Sequence, residues 1–130
     1  PIYGRDDRVF FTSDRPRNGD RNLYPQLDEY ESAPTNTGLW SMNADGSDVK
    51  QLTTSRGTDG HATWTADGKR ILFMSTRTGF KDEREMYDNS PQSYAQIFIM
   101  NADGTNVRQL TESRWEDSLP VYVPAAKRLR

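Results

Sequence analysis

Residues 42–46, Met-Asn-Ala-Asp-Gly, return unchanged at residues 100–104, a spacing of 58 residues. The likeness continues beyond this block, because 12 of 18 positions are identical between residues 42–59 and 100–117. A long internal repeat of this kind is typical of folds assembled from copies of one supersecondary unit. The chain therefore contains at least two copies of such a unit.

A second repeated block opens each unit. In the second copy it covers residues 62–75, and a shorter relative covers residues 1–13. A partial third copy lies at residues 119–129. The order is a partial start, a full unit and a new start.

Each unit reads as four short strands. In the second copy we predict a strand centred on Trp64, then strands at residues 70–75, 97–101 and 108–111. In the first copy, Tyr3 takes the place of Trp64, and residues 39–43 and 50–53 form the third and fourth strands. Asp-Gly between apolar runs favours tight hairpins. Three such turns are therefore interpreted as structural: Asp45 with Gly46, Asp67 with Gly68, and Asp103 with Gly104.

Four short strands repeated in this way predict β-propeller blades. The expected fold is all-β, with two four-stranded antiparallel blades and the first strand of a third. Residues 1–55 are blade 1 with a long insertion at 14–38, and residues 56–113 are blade 2 with an insertion at 76–96. Residues 114–130 are the start of a third blade or a closing strand.

At this point the chain resembles a known family. Trp-x-x-Asp-Gly-Lys-Arg-Ile (64–71), Phe-x-Ser (73–75), Ile-Phe-x-Met-Asn-Ala-Asp-Gly (97–104) and Arg-Gln-Leu-Thr (108–111) resemble the TolB-type β-propeller repeat. The resemblance implies a bacterial periplasmic or secreted protein, and partner-binding propellers or non-catalytic domains of peptidases as functions. It also implies that Asp14 and Arg15 brace the blade, with Thr76 and Arg77 in their place in blade 2. The chain departs from the family pattern in its two long insertions and in Ala125-Ala126, which replaces the last Asp-Gly.

Composition narrows the classes of partner. A net charge of -2 predicts no binding to nucleic acid or anionic membranes. No cysteine is present, which excludes disulfides and thiolate chemistry. We expect no cofactor, no metal, no membrane span and no leader peptide, and the start at Pro1 suggests a processed or excised part of a longer chain. Because propellers typically need about 4–8 blades, the expected neighbours are further blades of the same protein or copies of this chain.

Function is expected on the face that carries the insertions, since irregular loops on a rigid scaffold are common binding sites. The predicted partner-binding residues are Tyr24, Asp28, Glu31, His61, Tyr87, Arg114 and Trp115. Asp28 and Glu31 belong to an acidic loop that is either a solvated segment or a Ca²⁺ ligand set. Trp115 is either a recognition residue or a cap on the neighbouring blade.

Two further positions are candidates for catalysis or for bracing. His61, the only histidine, is expected on the loop that enters blade 2, where it lacks a nucleophile elbow and metal-ligand companions. Asp59 and its equivalent Asp117 recur at one repeat position, which indicates loop-bracing hydrogen bonds, and Arg56 and Arg114 recur in the same way.

Three functions follow from these features. The leading hypothesis is a non-catalytic module that binds a protein or glycan partner through the long loops. The second is an accessory domain of a larger secreted enzyme, a hydrolase or peptidase with its chemistry elsewhere. The third is an enzyme that uses His61 with loop carboxylates.

Overall fold

The structure, a computed structural model, describes residues 2–4, 7–15, 37–55, 57–78, 94–113 and 115–125. These ranges contain eight strands: β1 (Ile2–Tyr3), β2 (Arg8–Ser13), β3 (Gly38–Asn43), β4 (Lys50–Gln51), β5 (Asp59–Trp64), β6 (Arg70–Ser75), β7 (Gln96–Asn101) and β8 (Arg108–Gln109). Within the same ranges, no helix is long and apolar enough to cross a bilayer.

The strands form two four-stranded antiparallel sheets, in the orders β1-β2-β3-β4 and β5-β6-β7-β8. The predicted all-β architecture with two blades is confirmed. The two blades also share one register, because Arg8 pairs with Asn43 in blade 1 as Arg70 pairs with Asn101 in blade 2. Residues that correspond in the sequence repeat therefore correspond in space.

The hydrophobic core lies between the two blades. Its buried members are Phe10, Leu39, Ile71, Phe73, Phe98 and Met100. The ring of Phe10 in blade 1 meets the edge of Trp64 in blade 2, with centroids 4.6 Å apart. Trp64 is half-buried against this core, and Trp40 is buried. Strand β6 is buried on both faces, as its continuous apolar run predicts, since side chains alternate between the two faces of a strand.

The outer strands are shorter than predicted. Both β4 and β8 contain two residues, because the chain leaves the ladder after them. The backbone N–H groups of Leu52 and Thr53 both donate to the carbonyl of Leu39, and the Thr53 hydroxyl accepts from the Leu39 N–H. Leu110 and Thr111 repeat this arrangement around Ile97. A threonine side chain thus replaces the next rung of each ladder.

Two further expectations are corrected. His61 lies within β5 and not in a loop, at a bulge between Gly60 and Thr63 where its φ is +47°. The expected first strand of a third blade is not formed within residues 115–125, although Leu119 repeats the positive φ of His61 at +52°. Val121 and Val123 stay exposed there, because no strand in the described ranges pairs with them.

Candidate functional site

The two ends of the blades differ in character. We call one end the turn face, since it carries the β3–β4, β5–β6 and β7–β8 turns. We call the other the insertion face, where β2 and β6 end, β3 and β7 begin, and residues 52–58 and 110–118 connect outward. The predicted binding residues Tyr24, Asp28, Glu31, Tyr87 and Arg114 lie outside the described residues, as does Arg56.

The turn face is held by side chains that cap their own turns. In blade 1 the Asp45 carboxylate accepts from the Ser47 N–H (2.9 Å) and hydroxyl (2.6 Å), and Asp103 accepts from Thr105 at the same distances. These bonds, to Ser47 and Thr105 respectively, lower the pKa of Asp45 and Asp103. Gly46 and Gly104 adopt φ of +86° and +87°, which glycine reaches without strain.

The turn that joins β5 to β6 is built in a similar way. Asp67 accepts from the Thr65 hydroxyl and the Lys69 N–H, and the Thr65 bond is the main cause of its lowered pKa. Gly68 has a φ of +66°. Every carboxylate of these three turns is therefore engaged within its own turn.

On the insertion face, Asp59 is the centre of a buried ion pair. Its side chain is 0% exposed, and its Oδ1 accepts from an Nη atom of Arg77 at 2.9 Å. Its Oδ2 accepts from the Ser55 hydroxyl at 2.8 Å, and its N–H donates to the Thr37 carbonyl. Because Ser55 and Thr37 belong to blade 1, this carboxylate joins the two blades. Its hydrogen bonds leave it in a bracing role, away from acid–base chemistry with His61.

Arg77 is held on three sides. Its Nε donates to the Ser75 hydroxyl at 2.7 Å, and its guanidinium lies 4.9 Å from the Phe98 ring centroid and 5.4 Å from that of Phe73. Arg15 repeats the pose in blade 1, where it contacts Ser13 and stacks on Phe11 and Trp40. The arginines thus cover aromatic side chains at one end of each blade.

The corner after blade 2 has a different support. Gln96 is 0% exposed, and its amide oxygen accepts from the Ser113 N–H at 2.8 Å. Its amide nitrogen donates to the carbonyls of Ala95 (2.8 Å) and Trp115 (3.0 Å). The Ser113 hydroxyl also donates to the Trp115 carbonyl at 2.9 Å. A buried amide therefore fixes the backbone of this corner from inside.

Trp115 stands on this fixed backbone and is 69% exposed. Its equivalent 58 residues earlier is Gly57, and the equivalent of Gln96 is Gly38. Both the supporting amide and the indole are therefore specific to blade 2. Sequence reasoning singled out Trp115 but missed Gln96, which carries no motif of its own.

Asp117 closes the same corner. Its Oδ2 accepts from the Ser113 hydroxyl at 3.0 Å, and its N–H donates to the Ala95 carbonyl at 2.9 Å. Ser55 and Ser113 are visible in the repeat as matched residues, and pairing each with the aspartate four positions later was the available signal.

His61 is exposed on β5, and its imidazole makes no hydrogen bond or ion pair to any residue that the structure describes. Groups of three or more His, Cys, Asp or Glu side chains that would hold a metal are absent from the described ranges. The geometry around His61 is that of a surface residue.

A cleft of about 600 Å³ opens between the blades on the turn-face side. Its lining includes Arg8, Lys50, Trp64 and Asp103. Both cations already contact Asp48, at 2.8 Å and 2.9 Å, so they are neutralised within the chain. The cleft was not predicted, since residues far apart in sequence line it.

Comparison with solved structures gives a TolB-like fold. A structure from Agrobacterium tumefaciens assigned as TolB superposes with a TM-score of 0.53 and 26% sequence identity. The match covers 69% of this chain and 27% of the other, so this chain spans about a quarter of that protein's length. No protein-family description and no curated protein matches the sequence.

Proposed function

We propose that this chain is a non-catalytic propeller-type binding module that contacts a protein or glycan partner through its insertion face. One observation carries the proposal: an exposed tryptophan, Trp115, stands on backbone that the buried Gln96 amide holds in place. Tryptophan is enriched at binding hot spots, and a preorganised corner lowers the entropy lost on association.

The TolB-like neighbour supports this class of function at its general level. By the same resemblance, the proposed location is the periplasm or the outside of the cell. Partner identity, glycan or protein, and the presence of further blades stay predictions. An accessory domain of a larger secreted enzyme would use the same face.

The experiment compares binding of wild type, Trp115→Ala and Val107→Ala to arrays of glycans and of exported proteins. Val107 is an exposed apolar residue, 39% accessible, on the turn face and serves as the matched control. We expect Trp115→Ala to weaken partner binding by roughly thirty-fold, the loss typical of a hot-spot aromatic. Equal binding by all three proteins would contradict the proposal.

A further inference from the structure

The corner after blade 1 and the corner after blade 2 are copies of one another. In the first, Ser55 donates to Asp59 Oδ2 at 2.8 Å, and in the second, Ser113 donates to Asp117 Oδ2 at 3.0 Å. The aspartate N–H donates to Thr37 in the first corner and to Ala95 in the second, again 58 residues apart. Asp117 is therefore placed as Asp59 is placed.

The two carboxylates differ in their remaining oxygen. Oδ1 of Asp59 is bound by the Arg77 guanidinium at 2.9 Å. Among the described residues the ion pairs are Arg8–Asp48, Lys50–Asp48 and Arg77–Asp59, so none of their cations reaches Asp117. The first corner thus shows which group the second corner is shaped to accept: a guanidinium.

A blade with the geometry of blade 2 cannot deliver that guanidinium. At Gly57, an added Cβ would lie 2.6 Å from the Arg77 backbone nitrogen and 2.7 Å from the Thr76 carbonyl carbon. The position equivalent to Gly57 is occupied by Trp115, which carries a whole indole there. The turn that brings Arg77 to Asp59 would collide with this indole, so the occupant must approach by another path.

The indole also supplies what an arginine needs. In blade 2, Phe73 and Phe98 lie under the Arg77 guanidinium, and at the second corner Trp115 is an exposed aromatic ring two residues from Asp117. A planar guanidinium combines a carboxylate bond with stacking, which an ammonium does less well. Exposed Leu119 and Val121, at 65% and 77%, add apolar surface beside the corner that suits a polypeptide.

We infer that Trp115 and Asp117 form a receptor for an arginine side chain presented by a separate protein. This inference rests on the proposed binding function and specifies its chemistry. The Asp117 carboxylate forms the charge-assisted hydrogen bond, Trp115 stacks on the guanidinium, and Gln96 and Ser113 hold both in place.

The test is an NMR titration of the ¹⁵N-labelled chain with blocked pentapeptides Gly-Val-Xaa-Val-Gly, where Xaa is arginine, lysine or citrulline. We expect the arginine peptide to shift the Trp115 indole N–H and the Asp117 amide. Its affinity should exceed that of the other two peptides by about ten-fold, the added value of a charge-assisted bond with ring stacking. Asp117→Asn should remove this preference, and the matched carboxylate variant Asp103→Asn should keep it.

Equal affinity for the three peptides, or an unchanged arginine preference in Asp117→Asn, overturns the inference. The outcome separates it from the proposed function. If a partner binds in a Trp115-dependent way while Asp117→Asn and the partner's arginine changes have no effect, the binding module stands and the arginine receptor falls. If neither Trp115→Ala nor Asp117→Asn changes any binding, both fall.

Discussion

Two glycines at equivalent positions measure how the blades dock. Gly46 and Gly104 occupy the same turn with φ of +86° and +87°, so alanine costs about 1–2 kcal/mol at either from the left-handed backbone alone. At Gly46 a Cβ would meet nothing within 4 Å. At Gly104 it would lie 2.6 Å from the Leu52 carbonyl oxygen and 3.2 Å from its Cα, because the turn of blade 2 abuts blade 1.

The contact at Gly104 is with backbone, which cannot rotate away. Overpacking of this kind adds about 1–3 kcal/mol, so Gly104→Ala should lose about 1–3 kcal/mol more stability than Gly46→Ala. The assay is urea-induced unfolding followed by tryptophan fluorescence, compared at equal m-values. Equal losses for the two variants would refute the docking of the blade 2 turn on Leu52 and, with it, the geometry of the interface between blades.

Three other predictions follow from the same interactions. Asp59→Asn should lower the free energy of unfolding by about 3 kcal/mol, because it leaves the Arg77 guanidinium without its buried partner, whereas Asp117→Asn should cost less than about 1 kcal/mol; urea unfolding compares them, and similar losses would contradict the ion-pair argument. Gln96→Ala should cost about 1–3 kcal/mol and speed hydrogen exchange at residues 113–117, since it strips a buried amide from the Ser113 N–H, while the exposed Gln109→Ala should do neither; unchanged exchange would show that the corner is held otherwise. The pKa of Asp48 is lowered by Lys50 first and Arg8 second, and the pKa values of Asp45, Asp67 and Asp103 are lowered by their turn hydroxyls. A depressed folded-state pKa stabilises the fold above the ordinary aspartate value of about 4, and this contribution is lost as pH falls through the folded pKa, so urea midpoints should drop between about pH 5 and pH 2 and less so in Asp48→Asn; an identical drop in that variant would show that Asp48 contributes nothing.

Much of the fold was predictable because it is written in local pattern. The second strand of blade 2, Arg70–Ser75, was predicted with its observed bounds, since an apolar run after an Asp-Gly turn specifies both a strand and its start. The capped turns at Asp45 and Asp103 follow from the same short-range chemistry. Where pattern was misread, a side chain intervened, as at Thr53, whose hydroxyl ends the outer ladder earlier than the sequence indicates.

The sequence by itself determined the repeat, the all-β class and the equivalence of Asp59 with Asp117. Only the tertiary structure decided what those equivalent residues do. Arg77 reaches Asp59 across 18 residues, and Gln96 reaches Trp115 across 19, over loops whose composition does not encode the contact. Gly57 and Trp115 also differ in a way that matters only when a neighbouring turn lies 2.6 Å from the Cβ position. Such contacts depend on where strand ends meet in space, and close packing, not local propensity, sets that distance.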